Sequence, residues 1–247
     1  MTSALGATTT DKSAVRNAAT VIVLRDRLST PKVLMGQRGA QAAFMPNKFV
    51  FPGGAVDAAD EGVPLARRMP QVCRDRLLED APEDFTHALA TAAIRELWEE
   101  TGLILGRKGS WDIEPPEDWR GFAEAGFLPD AHPLQFVFRA ITPAGRPRRF
   151  DARFFLVDAD EVATDLDDFS TAQDELSHLQ WIPLDEVRHF DLPFITEVVL
   201  AEVAARADDL TPPENVPFFN NSREESLFQR LKGRGPLSGR KIVYDDP

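Results

Sequence analysis

Short runs of β-branched and aromatic residues recur along the chain, and they predict strands at residues 18–24, 32–38, 135–141, 150–157 and 179–182. The first run, A-A-T-V-I-V-L, is apolar at nearly every position, which indicates a buried strand. Turn residues at 28–31 place the second run beside the first. Those at 143–147 join the third and fourth runs, so we expect a hairpin there.

Helical signals alternate with these runs. They predict helices at residues 65–78, 86–101, 115–125, 193–205 and 222–232, and one that opens at Pro183. The helix at 86–101 is expected to begin with Thr86 as its N-cap and to stop before Gly102, a residue type common at helix C-termini. Ser222–Glu225 has the spacing of a capping box, which predicts the last helix start.

Changes in amino-acid composition divide the chain into three parts. Residues 1–17 are small and polar, and we expect a flexible tail because they offer too little apolar surface to order themselves. Residues 18–207 carry the interleaved strands and helices of one domain. Residues 208–247 are richer in Pro, Asn and Gly, and we expect a C-terminal extension that ends in a basic arm from Gly233 onward.

Composition narrows the classes of function. The 247 residues carry a net charge of −12, which argues against nonspecific binding to nucleic acid or to an anionic membrane. No run of about 18 apolar residues is present, and the N-terminus lacks the apolar stretch of a secretory signal. Cys73 is the single cysteine, so the chain forms no internal disulfide. The four histidines show no ligand spacing. We therefore expect a cytoplasmic protein.

The candidate chemistry lies in the helix at 86–101, in the sequence R-E-L-W-E-E-T-G-L. Glu96, Glu99 and Glu100 stand at i, i+3 and i+4, so their carboxylates share one face, with Arg95 on its flank. Like charges at this spacing repel, and carboxylate oxygens are the ligands that Mg²⁺ and Mn²⁺ prefer. A bound cation would remove the repulsion. The alternative is a solvated acidic helix face, which a bare E-x-x-E-E motif does not exclude.

A glycine loop upstream favours the metal interpretation. Phe51-Pro52-Gly53-Gly54 predicts a strand end that runs into a tight turn. This loop, followed by R-E-x-x-E-E-x-G, resembles the signature of the Nudix hydrolase superfamily, G-x5-E-x7-R-E-U-x-E-E-x-G-U, where U is aliphatic. The second half matches at every position: Arg95, Glu96, Leu97, Glu99, Glu100, Gly102 and Leu103.

The first half departs from the signature twice. Asp60 stands where the family has Glu, and its side chain is shorter by one methylene than the one that the signature calls for. The seven-residue spacer becomes residues 61–94, which implies an insertion at about 61–87. A long interruption at this place is similar to the branch of the superfamily that includes coenzyme A-cleaving members. The insertion could be a lid, a contact between two copies in a homodimer, or an inert excursion.

The resemblance implies a fold and a reaction. The fold would be an α/β/α sandwich with a mixed sheet, in which the signature forms a loop–helix–loop. The reaction would be the hydrolysis of a phosphoanhydride in a small molecule that contains a nucleoside diphosphate, with Mg²⁺ or Mn²⁺. Glu99 and Glu100 match the main metal ligands, the carbonyl of Gly53 is a further candidate, and Glu96 matches a ligand or a base. Arg95 would hold Glu99 or Glu96 in position.

Further residues are candidates by position. Gly54 and Asp60 would orient the loop, and Glu175 lies where many family members have an acid outside the signature that serves as base or metal ligand. Arginines that could bind substrate phosphates are Arg38, Arg149 and Arg153. Arg38 could instead form a surface ion pair, and the other two could pair with the acids of the insertion. Phe44 could line a pocket or belong to the core.

Two other functions remain open from the residues alone. The chain could be a Nudix-fold module that binds a nucleotide without turnover, although such modules often lose signature carboxylates that this chain retains. It could also be an acidic interaction protein, which the glycine loop argues against. The substrate is also open, because an insertion is a weak guide to specificity. Coenzyme A or its thioesters, ADP-ribose, dinucleotide polyphosphates and NADH are all compatible.

Overall fold

The computed structural model describes residues 14–42, 44–221 and 227–233. Regular elements in these ranges are β1 (Val15–Arg25), β2 (Lys32–Arg38), β3 (Phe49–Val50), β4 (Gly53–Ala55), α1 (Gln71–Leu78), α2 (Thr86–Thr101), β5 (Gly106–Lys108), α3 (Arg120–Glu124), β6 (Phe127–Pro129), β7 (Gln135–Ile141), β8 (Arg149–Asp158), β9 (Leu176–Pro183), α4 (Phe194–Ala204), β10 (Val216–Asn220) and β11 (Leu227–Leu231). Single 3₁₀ turns lie between several of them. None of the helices in these ranges is long and apolar enough to cross a membrane.

One mixed sheet forms the centre of the fold. Its order is β11-β10-β7-β8-β1-β2-β3, with β4 paired to β1 and β9 paired to β2. The β1–β8 and β7–β10 pairs are parallel, and the others in this sheet are antiparallel. The expected hairpin is confirmed, because β7 and β8 are adjacent and antiparallel. Strands β5 and β6 form a separate pair.

Alternate side chains of the sheet enter two apolar cores, as the period of a strand requires. Val21, Val23 and Leu34 pack with α2 on one face. Ile22 and Leu24 pack with α4 on the other face. Helices therefore cover both faces, and the expected sandwich with a mixed sheet is confirmed.

The insertion is part of the first core. Its residues Cys73 and Leu77 are buried there together with Leu231 of the C-terminal hairpin. The Arg76 guanidinium donates to the Glu214 carbonyl over 3.0 Å. The Glu79 carboxylate accepts hydrogen bonds from the main-chain N–H groups that end the hairpin, at 2.5 and 2.6 Å. The insertion thus joins the C-terminal strands to the domain, and the sheet extends beyond residue 207.

Several predicted boundaries agree with the structure. The strands at 32–38 and 135–141 and the helix at 86–101 have the predicted limits, and β1, β8 and β9 extend a few residues beyond theirs. The helix predicted at 65–78 begins only at Gln71. The reason is Pro70, which disfavours helical geometry at the residue before it.

Three local predictions were wrong. Thr86 is not the N-cap of α2, because Phe85 precedes the helix and the Asp84 carboxylate accepts from the Thr86 N–H at 2.9 Å. No long helix opens at Pro183, which ends β9 by pairing with Lys32; a single 3₁₀ turn follows. Residues 227–231 form a strand instead of a helix, because pairing with β10 overrides the local signal. The capping box itself, the first 13 residues of the predicted tail and the arm from residue 234 lie outside the described residues.

Candidate active site

Helix α2 carries the site and is fixed at both ends. It packs against β1 and β4 across the sheet, with Ile94 and Leu97 fully buried. It ends at Gly102, whose φ of 75° turns the chain away and whose N–H donates to the Trp98 carbonyl over 2.7 Å. The polar side of the last two turns therefore faces the β4 loop with little freedom to shift.

Arg95 connects the helix to that loop. Its side chain is 4% exposed. Its Nη1 donates to Glu96 Oε1 at 2.9 Å and to Glu99 Oε2 at 3.0 Å, and its Nη2 donates to the Ala55 carbonyl at 3.0 Å. Charge-assisted hydrogen bonds of this kind are the strong ones in proteins. The structure thus brings together the residues for which the resemblance implied a holding role of the arginine.

Asp60 is the fourth partner of Arg95. Its two oxygens accept from Arg95 Nε at 2.9 Å and Nη2 at 3.1 Å, and the side chain is fully buried. A 3₁₀ turn, Ala58–Gly62, carries the carboxylate to the arginine, and the Asp57 N–H donates to Asp60 Oδ2 at 2.8 Å. Thr91 of α2 binds the Asp60 carbonyl at 2.8 Å. The shorter acid therefore reaches its partner through the local turn.

The glycine loop lies directly on the carboxylates. A Cβ at Gly54 would overlap the carboxylate of Glu96, so the close approach of loop and helix requires glycine there. The Gly53 N–H donates to Glu100 Oε2 at 2.7 Å. The contact that the structure shows for Gly53 is thus an N–H donated to a carboxylate, whereas the sequence suggested its carbonyl as a metal ligand.

Burial dominates the electrostatics of the cluster. It raises the pKa of Glu96 to about 7, against the opposing effect of Arg95. It also raises the pKa of Glu99, again opposed by Arg95. The pKa of Glu100 lies well above its usual range because of burial and, second, the neighbouring charge of Glu96. One arginine therefore does not neutralise these acids, and an added cation would favour their charged forms.

The donor set fits a hard divalent cation, although the side chains do not yet form a coordination sphere. All donors are carboxylate oxygens, and Glu100 Oε1 is buried with no hydrogen-bond partner. Among the described residues, no three acidic, histidine or cysteine side chains converge on one point. Because Glu96 and Glu99 both accept from Arg95, an ion shared with Glu100 requires their side chains to reorient. Of these observations, the partnerless oxygen favours a cation most strongly.

Two of the remaining candidates lie beside this cluster. Arg38 Nη2 donates to Glu175 Oε1 over 2.8 Å. The main chain of the loop before Glu175 is bound to α2, because the Gln173 N–H donates to the Glu99 carbonyl at 2.7 Å. Burial and then other charges account for most of the raised pKa values of Glu96 and Glu100, and Glu175 adds to both. The ion pair considered for Arg38 is thus present.

Arg149 and Arg153 do not form the exposed phosphate clamp that the sequence suggested. Their side chains are 4% and 1% exposed. Arg149 Nε donates to the Thr142 carbonyl at 3.1 Å, and Arg153 Nη1 donates to Asn17 Oδ1 at 2.6 Å. Arg153 also pairs with Asp151, so its ionic partner is a strand residue and not an acid of the insertion. Both guanidinium groups are committed to the interior of the domain.

Phe44 stacks its edge against Phe150, with ring centroids 5.2 Å apart, and remains partly exposed. Sequence reasoning missed Asp57, which lies 3.7 Å from Arg95 and helps to fix the turn that carries Asp60. The D-x-x-D spacing of Asp57 and Asp60 at a short helical turn was the available signal.

Comparison with known proteins identifies the family. The NUDIX domain profile matches residues 81–203. The chain belongs to the Nudix family. It is 31% identical over 183 residues to “Putative nudix hydrolase 7” of Caenorhabditis elegans, a match that covers 69% of this chain and 52% of the relative. The crystal structure of a NUDIX hydrolase from Alicyclobacillus acidocaldarius superposes with a TM-score of 0.56 and 26% identity, and covers 79% of this chain and 93% of that one.

A third relative carries a substrate in its name. “Acyl-coenzyme A diphosphatase NUDT19” of Gallus gallus is 28% identical over 179 residues, which covers 51% of this chain and 47% of that protein. This Nudix chain spans about half the length of the curated relatives that it matches.

Proposed function

We propose that this Nudix chain hydrolyses a pyrophosphate bond in a small molecule that contains a nucleoside diphosphate, and that it requires Mg²⁺ or Mn²⁺. The observation that carries the proposal is the excess of buried carboxylate on α2. Glu96 and Glu99 share the single arginine Arg95, and among the described residues Glu100 Oε1 has no hydrogen-bond partner. Buried anionic oxygen without a counter-charge is costly, and a divalent cation is the ligand that removes the cost.

Glu99 and Glu100, with Glu96, would hold the cation. When bound, it neutralises phosphate charge and lowers the pKa of a coordinated water. Arg95 holds Glu96 and Glu99 beside the glycine loop, because it also donates hydrogen bonds to Asp60 and to the Ala55 carbonyl. The proton of the attacking water passes to a carboxylate, and Glu96 and Glu175 are the two candidates that lie at the cluster. Glu96 would act as the base in place of ligating the cation, and burial supports that role by raising its pKa to about 7 in the metal-free protein.

For the substrate we propose coenzyme A or an acyl-coenzyme A as the first compounds to test. Two observations support this choice: the interrupted signature and the 28% identity to the chicken acyl-coenzyme A diphosphatase. Both are modest, because loops vary freely and sequence identity at this level does not fix specificity. The chain is net acidic, so the substrate phosphates require the cation to approach the carboxylates.

The test is a substrate panel with Mg²⁺ or Mn²⁺: coenzyme A, acyl-coenzyme A, ADP-ribose, NADH, dinucleotide polyphosphates and nucleoside triphosphates. Cleavage of a phosphoanhydride adds one water and yields two products that each end in a phosphate group, which mass spectrometry separates. Reaction in ¹⁸O-water reports which phosphorus is attacked, because only one product gains the label. Glu99→Gln serves as the blank.

Glu124→Gln is the matched control, because it changes an exposed glutamate of α3 outside the cluster. We expect one substrate class to be cleaved far faster than the rest by the unaltered chain and by the control. If no compound is cleaved while Mn²⁺ binds, the proposal is contradicted in favour of a nucleotide-binding module.

A further inference from the structure

The loop that carries Glu175 is held on both sides of that residue. Before it, the Gln173 N–H donates to the Glu99 carbonyl at 2.7 Å, which fastens the loop to the last turn of α2. After it, Leu176 pairs with Arg38 at the end of the β2–β9 ladder. Glu175 therefore has a defined main-chain position between the helix that carries the carboxylates and strand β2.

A bulge in the ladder sets the direction of this segment. Met35 pairs with Gln180 and Gln37 pairs with Ser177, so two residues of β9 face the single residue Gly36. A Cβ at Gly36 would lie 2.9 Å from the Leu176 Cβ, so the strands approach closely only with glycine there. Such bulges bend a strand and redirect its side chains, and they are frequent beside active sites.

Arg38 completes the arrangement. Its own main chain is fixed, since its N–H donates to the Lys48 carbonyl at 3.0 Å. Its side chain is 19% exposed, whereas that of Glu175 is 55% exposed, and Arg38 Nη2 contacts Glu175 Oε1 at 2.8 Å. A largely buried guanidinium thus holds an exposed carboxylate. This contrasts with an ordinary surface pair, in which both side chains move freely and the net effect is small.

We propose that Arg38 is a positioning residue: its ion pair with Glu175, at the end of the bulged β2–β9 ladder, holds the Glu175 carboxylate at the edge of the α2 carboxylate cluster for the reaction. The inference rests on the proposed function. Of the two roles considered for Arg38, a surface ion pair and a contact to the substrate phosphates, it takes the ion pair and gives that pair a part in the reaction. A carboxylate on a loop samples several rotamers, and a displacement of about 1 Å can cost roughly 100-fold in rate.

Kinetics of single and double variants test the proposal, with the substrate that the panel identifies. We expect Arg38→Met to lower kcat by about 10- to 100-fold with little change in KM, because the substrate is bound but the carboxylate is displaced. Arg38→Lys should recover part of the loss. Because Arg38 acts through Glu175, the double variant Arg38→Met/Glu175→Gln should be no slower than Glu175→Gln alone.

A second readout does not depend on turnover. In urea unfolding of the metal-free protein, each single substitution should lower the midpoint, and the double variant should show less than the sum of the two shifts. Arg27→Met is the matched control, because it removes a 2.7 Å arginine–carboxylate ion pair, that with Asp158, away from the cluster. It should leave kcat unchanged.

The outcomes separate the two proposals. If the double variant loses the product of the two single losses, or if Arg38→Met raises KM at constant kcat, Arg38 contacts the substrate and the inference is overturned while the proposed hydrolysis stands. If the unaltered chain cleaves no member of the panel, both fail together.

Discussion

Two buried clusters of arginine and carboxylate lie in this domain, and they differ in how the acid is satisfied. In the sheet, Asp151 of β8 is fully buried, and both of its oxygens contact arginine: Oδ1 with Arg139 at 2.9 Å, and Oδ2 with Arg139 at 2.7 Å and Arg153 at 3.2 Å. On α2, Glu100 is nearly as buried, yet its Oε1 has no hydrogen-bond partner among the residues that the structure describes. The comparison separates a carboxylate whose two oxygens both contact arginine from one that keeps a buried oxygen without such a contact.

The pKa values on α2 reinforce this difference. Burial raises them for Glu96, Glu99 and Glu100; Arg95 partly opposes the rise for Glu96 and Glu99, and the Gly53 N–H and Arg38 partly oppose it for Glu100. A buried carboxylate with arginine at both oxygens contributes to the fold, whereas buried carboxylates with raised pKa values are candidates for binding. Changes to the two clusters should therefore separate loss of stability from loss of activity.

The largest expected effect is on the sheet cluster. Asp151→Asn removes the carboxylate charge that two buried arginines share, and we expect a loss of about 3–5 kcal/mol in the free energy of unfolding, because both guanidinium groups lose this buried counter-charge. Urea denaturation measures it. The fraction that stays folded should retain its turnover per molecule. A normal unfolding midpoint would show that Asp151 is not the partner on which this cluster depends.

Changes to the α2 cluster should lower activity and leave stability intact. Glu100→Gln and Glu99→Gln should each reduce turnover by about 100-fold or more, because the cation loses a charged ligand. This loss is equivalent to roughly 3 kcal/mol in the activation free energy. The free energy of unfolding of the metal-free protein should not fall. Near-normal rates in both variants would contradict the assignment of these residues to the metal.

The pH dependence sharpens the comparison further. Because burial raises the pKa of Glu96 to about 7, the folded metal-free protein holds a proton that the unfolded chain releases near its ordinary pKa of about 4.3. The stabilisation that protonated Glu96 contributes is therefore fully present below the unfolded pKa, and it is lost as the pH rises through the folded pKa of about 7. Tm of the metal-free protein should fall in this window, and Mg²⁺ should reverse the fall. The same loss in saturating Mg²⁺ would contradict cation binding at this cluster.

The smallest effect concerns the insertion. Cys73 is buried in the core and its Sγ lies 3.5 Å from Gln135 Oε1, outside the carboxylate cluster. Cys73→Ser should cost about 1–2 kcal/mol in the free energy of unfolding, from burial of a more polar group, and should leave kcat and KM unchanged. A fall in kcat would show that the insertion contributes to the site.

The parts of the site that could be predicted from the sequence depend on the spacing of neighbouring residues. The helix at 86–101 and its glutamates follow from i, i+3, i+4 spacing and from a glycine at the end, and these need no distant partner. Arg149 and Arg153 were misjudged because the contacts that bury them include distant segments: Asn221 lies 72 residues after Arg149, and Asn17 lies 136 residues before Arg153. Residues 227–231 were misjudged because pairing with β10, a tertiary contact, decides between strand and helix there.

Glu175 lies between these cases. Its place just before a predicted strand, where many family members have an acid, suggested a role. The features that hold it come from two distant segments: β2 supplies the bulge at Gly36 and the ion pair with Arg38, and α2 accepts the bond from Gln173. One amino-acid sequence taken alone carries no signal that these segments meet at Glu175. The short turn at Asp57 and Asp60 is the opposite example, since all the residues that form it lie within four consecutive positions of the sequence.

The contacts between the insertion and the C-terminal hairpin have a consequence for truncated variants. Glu79 closes the end of the hairpin, Arg76 holds the segment before β10, and Leu77 and Leu231 share one core. Excising the insertion to restore an uninterrupted signature would uncover the C-terminal strands, and trimming those strands would uncover α1. The two additions therefore form one structural unit, and a shortened protein has to keep both or replace the apolar residues that they share.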